Sequence, residues 1–311
     1  MMNPTHLRTL EVVCRTGSFA IAARELGYTS SGVSQQMAGL ERACGLLLFE
    51  RQAHGIRPTA AADQLVERAG RVLAMLGEFE DEIRDLAAGR VGRLRLGSFP
   101  TASVRLVPDA LTDLVAGHPA AEILLEEGEP DELAQLLVNG ELDAALLYEY
   151  GHVPQRWPAG LVTVPLLREA LLLLTQRQRA NAGEATARLP ALRAAQWITS
   201  REGTAGAISL ERLCAAAGFA PAITRRSDNY DVVRQLVGAG LGVAVVPALG
   251  HVPDERVHAE PIASHLAHRR VLVAHRAANV NPLLQPALRA IKAAVATDDP
   301  WLAVSGDPGQ A

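Results

Sequence analysis

Ser18 to Arg57 reads SFAIAARELGYTSSGVSQQMAGLERACGLLLFERQAHGIR. The spacing predicts a short helix, a tight turn at Gly27-Tyr28, a second helix and a basic hairpin broken by glycine. Ser18 is a good N-cap, with Phe19, Ala22, Ala23 and Leu26 on one face of the helix that follows. The small Ala22-Ala23 pair permits close helix approach. Thr29 can cap the next helix, expected to run to about Arg42, with Val33, Met37 and Leu40 at i, i+4 and i+7. Upstream, Leu7, Leu10, Val13 and Cys14 recur at helical spacing, and Gly17 ends that helix. The set is a winged helix-turn-helix, a module whose second helix can enter the DNA major groove.

The face of the reading helix opposite Val33, Met37 and Leu40 carries Ser30, Ser31, Ser34, Gln35, Ala38 and Arg42. Hydroxyls and amides bond phosphates or base edges, and Gln35 suits adenine or phosphate. Leu46 to Phe49 and Ile56 to Pro58 are the expected wing strands around His54-Gly55. Arg51 and Arg57 are the expected phosphate contacts on them. A merely solvated polar surface is the bland alternative, weaker for the whole constellation than for any one residue. Gly32 costs roughly 1 kcal/mol relative to Ala in a helix.

From Met1 to Ala60 six Arg stand against four Glu, and the whole chain carries a net charge of -4. Bulk charge therefore does not make this a generic polyanion binder, and DNA affinity must come from local placement and from doubling in a dimer. Thr59 begins a long helix expected to end near Ala87 to Gly89. Leu65, Ala69, Val72, Leu76, Phe79, Ile83 and Leu86 alternate by four and three, a heptad seam. A partner chain best covers such a stripe, giving a homodimer or homotetramer. Packing against the chain's own second domain is the alternative.

Gly89 to Gly92 is the expected hinge. Beyond it strands and helices alternate, beginning with strand Leu94–Gly97 and helix Leu106–Ala116 and ending with strand Val271–Ala274 and helix Leu283–Ala296. Two α/β lobes joined by crossing strands account for the pattern, with a ligand cleft between them. The division is residues 1–58 for the DNA module, 59–89 for the linker helix, 90–296 for the two-lobed domain and 297–311 for a flexible tail.

The loop Ser98 to Ser103 follows a strand and precedes a helix, so its N–H groups and the Ser98 or Thr101 hydroxyl are candidates to hold an anion, with Ala102 beside them. Ser200 to Thr204 is a similar polar loop in the second lobe. Tyr148 and Glu149 end a strand and are placed to line the cleft. Asn229 precedes a helix and is a further candidate. Each has a plainer reading as a solvated loop or a cap. The nine histidines and the cysteines Cys14, Cys44 and Cys214 form no set at metal-ligand spacing, and an odd cysteine count suits buried thiols in a reducing compartment. No catalytic constellation, cofactor motif or metal site is evident, and Asp143 at a strand start suits capping better than acid–base work. The N-terminus lacks the apolar core of a signal peptide, and the longest apolar run, Ala239 to Gly250, is too short for a bilayer. The expectation is a cytoplasmic protein with no membrane span.

In order, these elements resemble the LysR-type transcriptional regulators from about Leu7 to Ala296. LRTLEVVCRTGSFAIAARELGYTSSGVSQQMAGLERACGLLLFER, followed by GIRPTAAADQLVERA, carries the match. GELDAAL at 140–146 and GAGLGVAVVP at 238–247 look like signatures of the effector domain. The resemblance implies a regulator of transcription whose effector domain is like a periplasmic binding protein, working as a dimer or tetramer. It places a small ligand between the lobes, touched by the loops 98–103 and 200–204, and Ser34 in the DNA-reading helix. Two departures stand out: Gly32 where Ala is common, and Thr59-Ala60-Ala61-Ala62 where T-P-A-G is usual.

Glu126, Glu127, Glu129 and Glu149 with Tyr148 suit a cationic ligand, whereas the Ser98 and Ser200 loops suit a carboxylate. The resemblance favours the loops. Three competing readings stay open: a solute-binding module with a DNA-like N-terminus, an enzyme using the cleft, and a constitutive architectural DNA binder.

Overall fold

A computed structural model of the chain describes residues 3–52, 55–88, 92–153, 155–179, 189–262, 264–295 and 299–304. The DNA module comprises α1 (Pro4–Thr16), α2 (Phe19–Leu26), α3 (Ser30–Cys44), β1 (Phe49–Gln52) and β2 (Gly55–Pro58). Side-chain caps begin all three helices: Asn3 accepts from Thr5 N, Ser18 from Ile21 N and Thr29 from Gly32 N. Gly27 ends α2 at φ +69°, a left-handed conformation that costs glycine nothing and lets the chain turn at once into α3. Leu10, Val13, Ala22, Val33, Met37, Leu40 and Leu48 are wholly buried or nearly so and form one core. Each large side chain there contributes about 1.5–3 kcal/mol.

The first wing strand is shifted from its expected place. Leu46 to Leu48 precede the hairpin, because the N–H groups of Leu48 and Phe49 turn inward to the Glu41 carboxylate at 2.8 and 3.3 Å. The antiparallel ladder then runs from Phe49↔Pro58 to Gln52↔Gly55. His54 lies outside the described residues.

Helix α4 (Ala60–Ala88) is capped by Thr59, whose Oγ1 accepts from Ala62 N and donates to Leu47 O. Its first half packs on α1 through Leu65, Ala69 and Leu73. Further along, it meets its own chain's first lobe. Gly140, at φ +74°, lies so close that a Cβ there would stand 2.6 Å from Ala74 Cα. Val72, Met75, Phe79 and Ile83 are 52, 62, 58 and 50% exposed. The helix thus uses one face for its own chain and leaves an apolar stripe open. Leu86, in the expected seam, has a side chain outside the described residues, as do residues 89–91 of the expected hinge.

The first lobe continues with β3 (Arg93–Ser98), α5 (Pro100–Arg105), α6 (Val107–Gly117), β4 (Glu122–Glu127), α7 (Pro130–Val138) and β5 (Ala144–Tyr150). Then β6 (Leu161–Gln176) crosses to the second lobe, which holds β7 (Gln196–Thr199), α8 (Ala205–Ala216), β8 (Ala222–Arg226), α9 (Tyr230–Gly238), β9 (Val243–Pro247) and β10 (Val257–Pro261). Strand β11 (His268–Arg276) returns to the first lobe, followed by α10 (Leu284–Ala294) and β12 (Leu302–Val304). Strand order is β4-β3-β5-β11-β6-β9-β7-β8, with β10 and β12 also on β6. The β3 pairs with β4 and β5 and the β7 pairs with β8 and β9 are parallel, as strand-helix-strand units require. The crossing pair β6 and β11 is antiparallel. This is the two-lobed α/β architecture.

Two differences have simple causes. Only Leu171–Leu174 of β6 is conspicuous in sequence, because Pro165 and the charged Arg168-Glu169 interrupt the apolar run. Pro165 is tolerated where the register with β11 shifts. The expected tail is in part a strand: β12 pairs Leu302 with Glu169 and Val304 with Leu167, and Trp301 O accepts from Ala170 N at 2.9 Å. Residues 296–298 and 305–311 lie outside the described residues.

Candidate DNA-reading face and effector cleft

On α3, burial of Val33, Met37 and Leu40 forces the opposite face outward. Ser30, Ser31, Gln35 and Arg42 are exposed there and Ser34 is half-buried. The Ser31 hydroxyl lies 3.1 Å from Thr29 Oγ1, and a Cβ at Gly32 would press on the same atom at 3.1 Å. Gly32 therefore gives the cap room. Arg57 is exposed on β2. Arg51 stands in β1, with its side chain outside the described residues. Thr9, buried on α1, donates to Gln36 Oε1 at 2.6 Å and fixes α3 to α1. Glu41 fixes the wing. Neither anchor was among the expected residues, although a Glu placed seven residues before the apolar Leu48 is a visible cue.

Between the lobes a cleft of about 470 Å³ is lined by Tyr148, Glu149, Tyr150 and Gln155, the turn from Glu129 to Glu132, and the loop from Arg201 to Ala205. Of the expected effector residues, Tyr148 and Thr204 line it. The Tyr148 hydroxyl donates to Glu129 Oε2 at 2.6 Å. Burial first, then the neighbouring Tyr150 and Glu129, push its ionisation far up, so it stays a donor. Ser200 Oγ and Thr204 Oγ1 are 2.7 Å apart. Ser200 also lines a smaller chamber behind the cleft, between Tyr150 and Tyr230.

The first-lobe loop differs from expectation. Ser98 is fully buried, with its hydroxyl against Phe99 O, and Ala102 sits in the lobe core. Thr101 is buried and accepts from Arg269 Nη2 at 2.8 Å. Helix α5 is a single short element without a side-chain cap. None of the three lines the cleft just described. The cause is Arg269, which sequence reading passed over. It is 2% exposed, donates to Glu169 at 2.6 Å and packs its guanidinium over the rings of Phe99 and Tyr148 at 4.9 and 4.5 Å. It thereby holds the hydroxyl expected to meet a ligand inside the lobe, off the cleft wall. Asn229 caps α9, accepting from Asp231 N and Val232 N, and is not on the cleft wall. Asp143 accepts from Arg95 N at 2.7 Å and from its guanidinium, a structural use.

A reading module, a linker helix and a two-lobed domain with a cleft thus stand on one chain. Residues 4–63 match the bacterial regulatory helix-turn-helix protein of the lysR family, and residues 87–296 match the LysR substrate binding domain. The chain belongs to the LysR family. It is a DNA-binding transcriptional regulator with an effector-binding domain. Among its LysR relatives is the small neutral protease regulatory protein of Streptomyces coelicolor, 32% identical over 273 residues, covering 86% of this chain and 85% of that one. A probable hydrogen peroxide-inducible genes activator of Streptomyces viridosporus is 30% identical over 242 residues, 78% and 76% of the two chains. Full-length CbnR, a LysR regulator solved with its target DNA, superposes with a TM-score of 0.56 at 25% identity, covering 94% of this chain and all of that one. Among the described residues no helix is long and apolar enough to cross a membrane, and no group of three or more His, Cys, Asp or Glu is placed to hold a metal.

Proposed function

We propose that this LysR regulator reads a DNA dyad with α3 and the wing of two copies, and that a small polar molecule in the interlobe cleft alters that reading. The observation that carries it is the polar outer face of α3, with Ser30, Ser31, Gln35 and Arg42 presented by a buried Val33-Met37-Leu40 seam. Ser34 at the edge of that face, and Arg51 and Arg57 on the wing, complete the contact set. Residues 1–58 form the reading unit, 59–89 the linker and 90–296 the sensor. The open stripe of α4, Val72, Met75, Phe79 and Ile83, joins copies into a dimer or tetramer, so that two modules reach two half-sites.

Coupling requires that the ligand favour one arrangement of the lobes over another. Of the expected effector contacts, Tyr148, Thr204 and Ser200 face the cleft or its inner chamber, while Thr101 acts through Arg269. The chain works in the cytoplasm, where its DNA is, and has no catalytic role. Ser200 and Thr204 bond each other, with no base against them among the described contacts. Peroxide sensing, named for one relative, draws no support from Cys14 or Cys214. Burial, with Asp63 adding for Cys14, pushes these thiols up to about 11 and about 12, away from the reactive thiolate.

A footprint on the DNA beside its own gene, with and without a pool of cell metabolites, tests the proposal. A protected dyad whose length or position changes with the pool is expected. Absence of specific protection at moderate salt overturns it.

A further inference from the structure

The charge of the cleft selects the charge of its ligand. Among the described residues its wall carries the carboxylates of Glu129, Asp131, Glu132, Glu149 and Glu202 against one cation, Arg201. Arg201 is itself bound to Asp228 by its backbone N–H and its guanidinium. Arg269 is buried behind the Tyr148 ring, neutralised by Glu169, and absent from the cleft wall. A carboxylate entering here meets five carboxylates against the exposed Arg201, itself paired with Asp228, and does not reach the buried Thr101 hydroxyl. A cation meets the reverse. A cleft walled by low-dielectric protein focuses that preference.

The carboxylates are not equally engaged. Glu149 pairs with Arg270 at 2.8 Å, and Asp131 accepts from Gln155. Glu129 accepts the Tyr148 hydroxyl, and a carboxylate has room for further donors. Glu202 has no hydrogen bond or ion pair among the described contacts.

The inner chamber is a second, independent observation. It shares Tyr150 with the cleft and is lined by the hydroxyl residues Thr199, Ser200, Ser209, Ser227 and Tyr230, with no charged residue on its wall among the described residues. Ser209 is 2% exposed, and its Oγ has no hydrogen-bond partner. A buried hydroxyl left in that state is unusual and is satisfied by a water or a ligand group. The chamber has about 20 Å³ of free room, enough for one small polar group.

We propose that the effector is a small organic cation, its ammonium or guanidinium group seated between Glu129 and Glu202, and its uncharged polar end turned to the hydroxyls of Ser200 and Ser209. This rests on the reading of the cleft as the effector site and names the class of molecule it takes.

The test is calorimetric titration of the full chain with 4-aminobutanol, 5-aminopentanol and 4-aminobutanamide, each an ammonium with an uncharged polar end, and separately with succinate and benzoate. At least one amine saturates, and the two carboxylates do not. Affinity for that amine falls about tenfold in Glu129→Gln and in Glu202→Gln, as loss of a charge-assisted hydrogen bond requires. Glu202 lies on an exposed loop, so its variant reads out even if Glu129→Gln, which alters the start of α7, folds poorly. Glu211→Gln, exposed on α8 and off the cleft wall, keeps the affinity. Saturation by a carboxylate alone, no saturation by any of the three amines, or an amine indifferent to both variants overturns the proposal.

Footprints run in parallel separate this from the regulator reading. A dyad that shifts with succinate or benzoate keeps the regulator and rejects the cation. An amine that binds while the DNA stays unprotected keeps the cation and rejects the regulator.

Discussion

Arg269 on β11 donates its Nε–H to the Glu169 carboxylate on β6 at 2.6 Å, directly across the two strands that pass between the lobes. Each partner holds a second group. Glu169 Oε2 accepts from Leu249 N at 2.7 Å in the turn after β9, where the Leu249 side chain packs into the first-lobe core, and Arg269 Nη2 donates to Thr101 of α5. The pair joins the crossing strands to α5 and to the turn after β9 through two buried charges.

Removing one partner of such a pair leaves the other charge buried alone, at a cost of about 3–5 kcal/mol, whereas replacing both is far milder. Arg269→Met should therefore destabilise the chain by about that much, and Arg269→Met with Glu169→Gln by less. Urea unfolding of the three proteins checks this. A single variant that unfolds within about 1 kcal/mol of the parent would show that the pair is not under this load.

The wing depends on Glu41. Its Oε1 accepts from both Leu48 N and Phe49 N, so Glu41→Ala leaves two partly buried donors unpaired, a loss of about 1–3 kcal/mol for each that water fails to reach. The variant should bind operator DNA less tightly while α3 keeps its fold. Arg57→Ala should leave stability unchanged and lower the slope of log affinity against log salt by about 1. Hydrogen exchange at 48–58 and salt-dependent binding distinguish the two effects. Wing exchange unchanged in Glu41→Ala would remove the anchor role.

The linker is tied to the first lobe by Arg276. Its Nη1 donates to Leu137 O and Leu142 O at 2.6 and 2.8 Å, and its Nη2 pairs with Glu78 of α4. Nearby, Asp81 of α4 lies 3.1 Å from Arg95, which also holds Asp143. These contacts fasten α4 to the first lobe. Glu78→Gln should loosen the joint mildly, and Arg276→Ala should do so by about 2–3 kcal/mol, since several acceptors lose one buried charged donor at once. Faster amide exchange in α4 near Ala74 to Asp81 is the expected readout, and unchanged exchange in Arg276→Ala would refute the joint.

The DNA module was readable almost residue by residue, because caps, glycine turns and a period near 3.6 act locally. Ser18, Thr29 and Gly27 do in space what their types dictate. The two lobes were readable as strand–helix alternation, since parallel units need helical crossovers. The cleft was less so. Tyr148, Ser200 and Thr204 lie on loops or strand ends, where local patterning is enough. Whether Thr101 meets a ligand depends on Arg269, 168 residues away, and no local pattern reports which distant cation fills a site. Glu169 did leave a trace: a Glu beside a run of four leucines is costly unless a partner is buried with it. The last strand was missed because a short segment near a chain end takes its order from β6, not from itself.

The C-terminal strand also packs a titratable group. His251 is buried against the ring of Trp301 at 5.4 Å, and its backbone O accepts from Arg105, which also bonds Asp299. Burial, then the positive Arg234, lowers its ionisation below the ordinary 6.5, with Asp299 opposing. The folded chain therefore favours neutral imidazole. As pH falls below about 6.5 the unfolded chain takes up the proton first, so stability declines from there down to the folded value and levels off beneath it. Above 6.5 this group contributes no slope. His251→Asn should flatten that part of the profile, which thermal unfolding of both proteins in steps from neutral to mildly acid pH measures. Parallel profiles for the two proteins across that window would assign the acid loss to other groups.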